Sequence, residues 1–146
     1  MMKRLIQLLL MTLVFTLPAS AAEEQAGLQY WNGIKKEAIT TSSGLQYKIL
    51  LPGKGRKPGP KSRVVVHYRG LLLSGDQFDS SYSHDEPITL SLRRVIEGWT
   101  EGIQLMSPGR VFVFLIPPEL AYGEKGTDTI PPNSPLIFEI ELFKVK

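Results

Sequence analysis

Aromatic and carboxylate side chains lie close together in one short segment of this 146-residue chain, Val64 to Ser81. Tyr68 ends an alternating apolar run, and the pair Phe78-Asp79 follows a Ser-Gly turn. This order predicts a tyrosine and a Phe-Asp pair at the ends of two adjacent strands. Two aromatic rings and one carboxylate in such positions can line a small apolar cleft that has a single polar anchor.

Other kinds of site find little support in the sequence. The chain has no cysteine, and its only histidines are His67 and His84, so a zinc site is not expected. The run His84-Asp85-Glu86 could bind a cation, but a solvated loop is the favoured interpretation. The chain also lacks a Gly-x-Ser-x-Gly elbow and a phosphate-binding loop. We therefore expect neither a metal nor a cofactor.

Strand-like patterns surround the candidate cleft residues. Apolar and polar residues alternate in four segments, which are Leu45–Ile49, Arg63–Leu73, Thr89–Leu92 and Leu136–Val145. The segment Arg110–Ile116 is almost continuously apolar, which is typical of a central strand whose two faces are both covered. The chain is therefore expected to form an antiparallel sheet.

Helical spacing of apolar residues is clear only once. Ile96, Trp99, Ile103 and Met106 would form one stripe of a three-turn helix, and Ser107-Pro108-Gly109 would end it. Neither the sheet nor this helix can bury its apolar face alone. The pattern predicts an α+β domain in which a curved antiparallel sheet packs on one short helix.

The N-terminal residues 1–22 are typical of a signal peptide. Lys3 and Arg4 precede an apolar stretch of 13 residues, Leu5–Leu17, and small residues follow at Ala19–Ala22. An uncleaved anchor is the less favoured alternative, because the apolar stretch is too short to span a bilayer comfortably. We expect an exported protein, in the periplasm or secreted, without a stable membrane anchor.

The charge of the chain gives no support to a nucleic-acid partner. The formal net charge is +3, and cleavage after residue 22 would remove Lys3 and Arg4, leaving a charge near +1. The basic run Lys54–Arg63 contains Pro and Gly, so it predicts a solvated hairpin tip between two strands. A polyanion site is the less favoured alternative, because no aromatic residues interleave with the basic ones.

Residues 23–43 form a mixed, polar leader, and residues 44–146 form the predicted domain. Trp31-Asn32-Gly33 is typical of a turn, and at most a brief helix is expected around Ile34–Ile39. Whether Trp31 packs on the domain stays open at this point.

The motifs of residues 44–146 resemble, in kind and in order, those of the FKBP-type peptidyl-prolyl isomerases. The ordered set is much more specific than any one of its members. The main matching motifs are Ser43-Gly44-Leu45-Gln46-Tyr47, Val64-x-Val66-His67-Tyr68-x-Gly70, Phe78-Asp79-Ser80-Ser81, Val95-Ile96-x-Gly98-Trp99, Ala121-Tyr122-Gly123, Ile130-Pro131-Pro132-Asn133 and Leu136-Ile137-Phe138. The N-terminal region and the first motif resemble the bacterial exported branch of the family.

The resemblance implies a sheet of about five strands wrapped around one short helix. It also implies a peptidyl-prolyl cis–trans isomerase that assists the folding of exported proteins. Its partners would be X-Pro segments of unfolded or folding exported proteins, with macrolide inhibitors as further candidate ligands. The alternative is a chaperone-like binding module that uses the same cleft, or its exposed rim, without turnover. The exported branch often adds a long dimerisation helix, which residues 23–43 are too few to supply, so we expect a monomer.

The same resemblance implies the residues of the site. The implied catalytic residues are Tyr68, Asp79, Ile96, Trp99 and Tyr122. The implied substrate-binding residues are Phe78, Leu90, Val95, Ile130 and Phe138. Trp99 would be the floor under the proline ring, the Ile96 N–H and the Tyr122 hydroxyl would hold carbonyls, and Asp79 would anchor Tyr68.

Simpler interpretations exist for several of these residues. Trp99, Val95 and Phe138 could be ordinary core residues, Asp79 could form an Asx-turn, and Tyr122 could be a loop aromatic. The chain also departs from the family pattern. Many relatives have Phe where this chain has Leu90, an apolar residue is common where it has Thr129, and Lys61-Ser62 replaces a frequent Gly-Asp turn. These departures concern inhibitor affinity and substrate preference more than activity.

Overall fold

Within the described residues, seven antiparallel strands and two short α-helices form the structure. The computed structural model describes residues 25–146, so the signal peptide predicted for residues 1–22 lies outside the described residues. The elements are α1 (Ala26–Ile34), β1 (Ile39–Thr40), β2 (Gln46–Leu51), β3 (Arg63–Leu72), β4 (Gln77–Ser80), β5 (Ile88–Ser91), α2 (Glu97–Ile103), β6 (Val111–Ile116) and β7 (Leu136–Val145). No helix in this range is long and apolar enough to span a membrane.

The strands form one sheet in the order β1-β2-β6-β7-β3-β4, and β5 pairs with the first part of β3. The α+β class with an antiparallel sheet and a short packed helix is therefore confirmed. The sheet has seven strands rather than about five. The two strands that alternation does not mark are β1, which spans only two residues, and β4, which was expected only from the Phe78-Asp79 pair after a turn.

Helix α2 lies directly on one face of the sheet, which we call the α2 face. Two glycines on α2 permit the contact. A Cβ on Gly98 would lie 2.6 Å from Ile116 Cγ2, and a Cβ on Gly102 would lie 2.6 Å from Phe114 Cε1. The helix ends at Ile103, one turn earlier than the apolar stripe predicted, although Met106 beyond its end is still buried.

Helix α1 covers the opposite face of the sheet, which we call the α1 face. The predicted turn at Trp31-Asn32-Gly33 and the helix around Ile34–Ile39 are both wrong, because α1 runs from Ala26 through these residues to Ile34. Trp31 is only 2% exposed and packs with Val113 and Ile137. Burial of this large side chain outweighs the low helix propensity of the neighbouring glycine.

Polar contacts also hold α1 in place. The Leu28 N–H donates to the Leu73 carbonyl at 3.0 Å, and the Tyr30 hydroxyl donates to Glu139 Oε2 at 3.0 Å. Arg69 donates to the same carboxylate oxygen at 3.3 Å. Burial, together with the neighbouring Glu139 carboxylate, raises the pKa of Tyr30. Trp31 therefore docks on the domain, where it forms a hydrophobic cluster with Val113 and Ile137 on the α1 face.

The basic segment Lys54–Arg63 is not the hairpin tip that its composition predicted. Strand β2 pairs with β1 and β6, whereas β3 pairs with β7, β4 and β5, so β2 and β3 are not neighbours. The segment is instead a connection between two separated strands. The apolar strands β6 and β7 take the central positions, because only there are both of their faces covered.

Candidate active site

A cleft of about 380 Å³ opens beside α2, and residues from four strands, the helix and two loops line it. Nine of the ten site residues expected from the sequence are among them, and Arg94 is added. The lining residues are Tyr68, Phe78, Asp79, Leu90, Arg94, Val95, Ile96, Trp99, Tyr122 and Phe138.

Aromatic rings enclose the deepest part of the cleft. Trp99 meets Tyr68 edge-to-face with ring centroids 4.9 Å apart, and it meets Phe138 in the same way at 5.2 Å. Phe78 closes the set through a perpendicular contact with Phe138 at 5.4 Å. Edge-to-face pairs of this kind hold rings in fixed orientations. Trp99 is 5% exposed, so it belongs to the core and still presents a surface to the cleft.

A glycine in β3 allows these rings to meet. A Cβ on Gly70 would lie 2.6 Å from Phe78 Cζ and 2.7 Å from Phe138 Cε1, which is well inside van der Waals contact. Gly70 pairs with Asp79 across β3 and β4 and with Phe138 across β3 and β7. The rings of Phe78 and Phe138 therefore occupy the space that a side chain at position 70 would fill.

Tyr68 and Asp79 form the polar anchor at the cleft wall. The Tyr68 hydroxyl donates to Asp79 Oδ2 at 2.6 Å, which is the hydrogen bond expected from the sequence. The other carboxylate oxygen accepts the Ser80 N–H at 2.8 Å. Burial raises the pKa of Tyr68 far above its usual value, and the Asp79 carboxylate adds to the rise. The hydroxyl is therefore protonated throughout the neutral pH range and keeps Tyr68 oriented.

Several hydrogen-bond donors at the cleft have no acceptor within residues 25–146: the buried Trp99 Nε1–H is one, and the Ile96 N–H and the Tyr122 hydroxyl are two more. The Ile96 carbonyl accepts the N–H groups of Trp99 and Thr100 at 3.0 and 3.1 Å, but its own N–H donates to no atom of this range. Ile96 precedes the first residue of α2 and has extended backbone angles. The Tyr122 hydroxyl is likewise unpaired in the described part of the chain, and the residue is 41% exposed. Both groups are free to bind carbonyl oxygens of a ligand.

This combination of fold and cleft matches a known family. Residues 54–143 match the sequence profile described as FKBP-type peptidyl-prolyl cis-trans isomerase. The chain belongs to this family. The expected resemblance to the family is thereby confirmed, and relatives from Escherichia coli and Coxiella burnetii confirm its bacterial branch.

Individual relatives of the FKBP type show how much of each protein this chain matches. It is 44% identical over 129 residues to the isomerase FkpA of Escherichia coli (strain K12), covering 87% of this chain and 48% of that protein. It is 42% identical over 126 residues to the peptidyl-prolyl cis-trans isomerase Mip of Coxiella burnetii, covering 86% and 55%. The chain therefore spans about half the length of these relatives.

Solved structures of FKBP-type proteins agree with the fold. The crystal structure of FkpA from Escherichia coli has a TM-score of 0.75 at 44% identity, covering 88% of this chain and 61% of that one. A peptidyl-prolyl cis-trans isomerase from Pseudomonas syringae pv. tomato has a TM-score of 0.72 at 36% identity, covering 90% of this chain and 98% of that one.

The cleft of this FKBP-type domain differs from the sequence expectation at two residues. Ile130 does not line the cleft, because its side chain is 3% exposed and packs in the core. A tight turn holds it there, in which Thr127 accepts the Ile130 N–H at 3.1 Å and donates its own N–H to the Ile130 carbonyl at 2.8 Å. Arg94 was missed, although its position directly before Val95-Ile96 was the available signal.

Proposed function

We propose that this protein catalyses the cis–trans isomerisation of X-Pro peptide bonds in exported proteins. The observation that carries the proposal is the combination of an aromatic cleft over Trp99 with two unpaired donors, the Ile96 N–H and the Tyr122 hydroxyl, at the same cleft. An apolar floor suits the proline ring, and the donors suit the carbonyls of the flanking peptide.

The reaction is rotation about an amide bond, so it needs no proton transfer and no covalent intermediate. Resonance makes the barrier about 18–20 kcal/mol, and uncatalysed exchange takes about 10–100 s. The twisted transition state has lost the conjugation and part of the polarity of the planar amide. A water-poor apolar cleft therefore favours the twisted state over the planar one. An acceleration of about 10⁴–10⁶ requires only ~5.5–8 kcal/mol of differential binding.

In this proposal each group at the cleft has a part that its contacts support. Trp99 supports the proline ring from below, and its perpendicular contacts with Tyr68 and Phe138 prevent it from tilting. The Tyr68–Asp79 hydrogen bond fixes one wall. The Ile96 N–H and the Tyr122 hydroxyl hold the peptide on either side of the rotating bond. Their binding energy therefore favours the twisted transition state over the planar amide.

The two tryptophans of the described chain provide a matched test. Both are buried, at 5% for Trp99 and 2% for Trp31, but only Trp99 lines the cleft. Isomerisation of a short X-Pro peptide would be followed by two-dimensional NMR exchange for the wild type, Trp99→Phe and Trp31→Phe. We expect kcat/KM to fall at least about tenfold for Trp99→Phe only. Absence of turnover by the folded wild-type protein would overturn the proposal.

Exposed apolar residues favour a second candidate, the chaperone-like binding module. Ile49, Leu50 and Leu51 are consecutive and 36%, 40% and 55% exposed, and Tyr122 is exposed at the rim of the cleft. Suppression of aggregation of an unfolded test protein would be measured beside isomerisation. If Trp99→Phe loses turnover but keeps full suppression, the two activities use different surfaces. Suppression without any turnover by the wild type would favour the binding module alone.

We also propose that residues 1–22 direct export and are removed, that residues 44–146 are the isomerase domain, and that the mature protein is a monomer. The charged and apolar regions at the start of the chain support the first point. Intact mass spectrometry of exported protein would test it, and a product that retains Met1 would contradict it. Light scattering after size-exclusion chromatography would test the monomer, and a mass of two chains would contradict it.

A further inference from the structure

A second groove, of about 530 Å³, continues from the cleft. It shares Leu90, Arg94 and Val95 with the cleft, so the two are contiguous at these residues. We call it the basic groove, because half of its eight lining residues are cationic. These are Lys61, Arg63, Arg93 and Arg94.

No carboxylate balances these charges at the groove. Its lining contains neither Asp nor Glu. The cleft contributes only Asp79, whose two oxygens already accept hydrogen bonds from Tyr68 and Ser80. The salt bridges found within residues 25–146 use other cations, Lys48 and Arg69. Four like charges around one groove create a local positive potential that an anionic ligand would relieve.

Strand β5, which has one unpaired edge within residues 25–146, contributes to the lining of the same groove. Strand β5 pairs only with β3 among the described strands, and its residues Thr89–Ser91 line the groove. Its outer edge therefore offers backbone N–H and C=O groups to an extended peptide. A polypeptide that leaves the cleft past Leu90 and Arg94 would enter a channel with a strand edge and several guanidinium groups.

We infer that the basic groove selects X-Pro substrates that carry Asp or Glu within a few residues of the proline. This inference rests on the proposed isomerase function and adds a substrate class to it. Arg94 borders both the cleft and the groove, so it is the cation best placed to reach a residue next to the proline. The planar guanidinium can bind a carboxylate through two parallel hydrogen bonds. A peptide is favoured over a nucleic acid, because no aromatic residue lines the groove to stack on bases.

The test compares pairs of X-Pro peptides that differ only in Glu or Gln, placed one to three residues before or after the proline. We expect kcat/KM to be about three- to tenfold higher for the Glu peptide at low salt, on one side of the proline only. The ratio should approach one at about 0.5 M salt, where the screening length is short. A phosphoserine peptide in the same series separates a preference for carboxylates from a general preference for anions.

Substitutions at the groove give the controls. Arg94→Gln and Arg93→Gln should lower the Glu-to-Gln ratio of kcat/KM, and Arg94→Lys should retain part of the preference. Arg94→Glu should instead prefer a peptide with Lys at the same position over the Glu peptide. Lys57→Gln is the matched control, since Lys57 is an exposed cation that lines neither cavity, and it should leave the ratio unchanged. Circular dichroism would establish that each variant is folded.

The outcomes separate this inference from the proposed function. If the wild type isomerises the Gln and Glu peptides with a Glu-to-Gln ratio of kcat/KM near one, the inference is overturned and the isomerase function stands. Absence of turnover for every peptide would overturn the proposed function itself. A third outcome is tight binding of a single-stranded oligonucleotide or of anionic vesicles that Arg93→Gln and Arg94→Gln abolish. If the wild type then shows no preference between the Glu and Gln peptides, the inference is overturned in favour of another polyanion.

Discussion

Replacing Gly70 by alanine should damage the cleft without disrupting the fold. The added Cβ would lie 2.6 Å from Phe78 Cζ and 2.7 Å from Phe138 Cε1, whereas carbon atoms prefer about 3.5–4.0 Å. Both rings must therefore move by roughly 1 Å, and both line the cleft. Overpacking of this kind lowers the free energy of unfolding by about 1–3 kcal/mol. The lower entropy of alanine in the unfolded chain offsets ~0.4–1 kcal/mol of this loss.

The activity of Gly70→Ala should fall more than its stability suggests. A displacement of about 1 Å at a positioning wall can cost up to about a hundredfold in rate, so we expect kcat/KM to fall about ten- to a hundredfold. Gly27→Ala is the matched control, because its Cβ would clash with the backbone carbonyl of Leu72 beneath α1, on the face of the sheet away from α2, and none of these residues lines the cleft. That variant should lose stability but keep its kcat/KM.

Urea denaturation and a peptide isomerisation assay would measure both quantities. Equal kcat/KM for Gly70→Ala and the wild type, at a stability loss of about 1 kcal/mol or more, would refute the reasoning that the rings position the substrate. An equal loss of kcat/KM in Gly27→Ala would also refute it, since the effect would then follow from general loosening of the domain.

Three further predictions follow from the site. The kcat/KM should be nearly constant between about pH 6 and pH 8 and unaffected by a chelator, because no titrating group takes part; a bell-shaped profile would contradict this. Since burial raises the pKa of Tyr68, its ionisation in the unfolded chain should lower stability as the pH rises above 10, and Tyr68→Phe should flatten this decline in alkaline urea denaturation. Leu90→Phe should tighten macrolide inhibition about three- to tenfold by adding an aromatic contact, with peptide turnover little changed; unchanged inhibition would remove Leu90 from the ligand-contacting wall.

Much of the site could be predicted from the sequence, because its residues occur in short local motifs. Phe78-Asp79 and Val95-Ile96 each lie within a few residues of a turn or a helix start, so their chemistry and their element are read from the same segment. Ile130 and Arg94 were assigned less well. Ile130 is the first residue of one motif and Arg94 directly precedes another, and only the path of the backbone decides which side chain turns toward the core and which toward the cleft.

The pairing of the strands and the packing of α1 required the tertiary structure. The apolar alternation of β3 and β7 is a local property, whereas their adjacency depends on contacts between residues far apart in the chain. Ile137 is apolar on the face of β7 that alternation predicts to be polar, but its partner Trp31 lies more than a hundred residues earlier.

The sequence by itself determined the α+β class and the family, because periodicity and motif order are properties of the chain alone, and nine of the ten site residues that the resemblance implied line the cleft. The tertiary structure decided which surfaces meet. The sequence does not reveal which surfaces pack against Gly70, Gly98 and Gly102. In the structure, the absence of side chains at these positions allows the aromatic rings and α2 to approach the sheet. Close packing depends on the shape of both partners, and one strand or helix specifies only its own half of that shape.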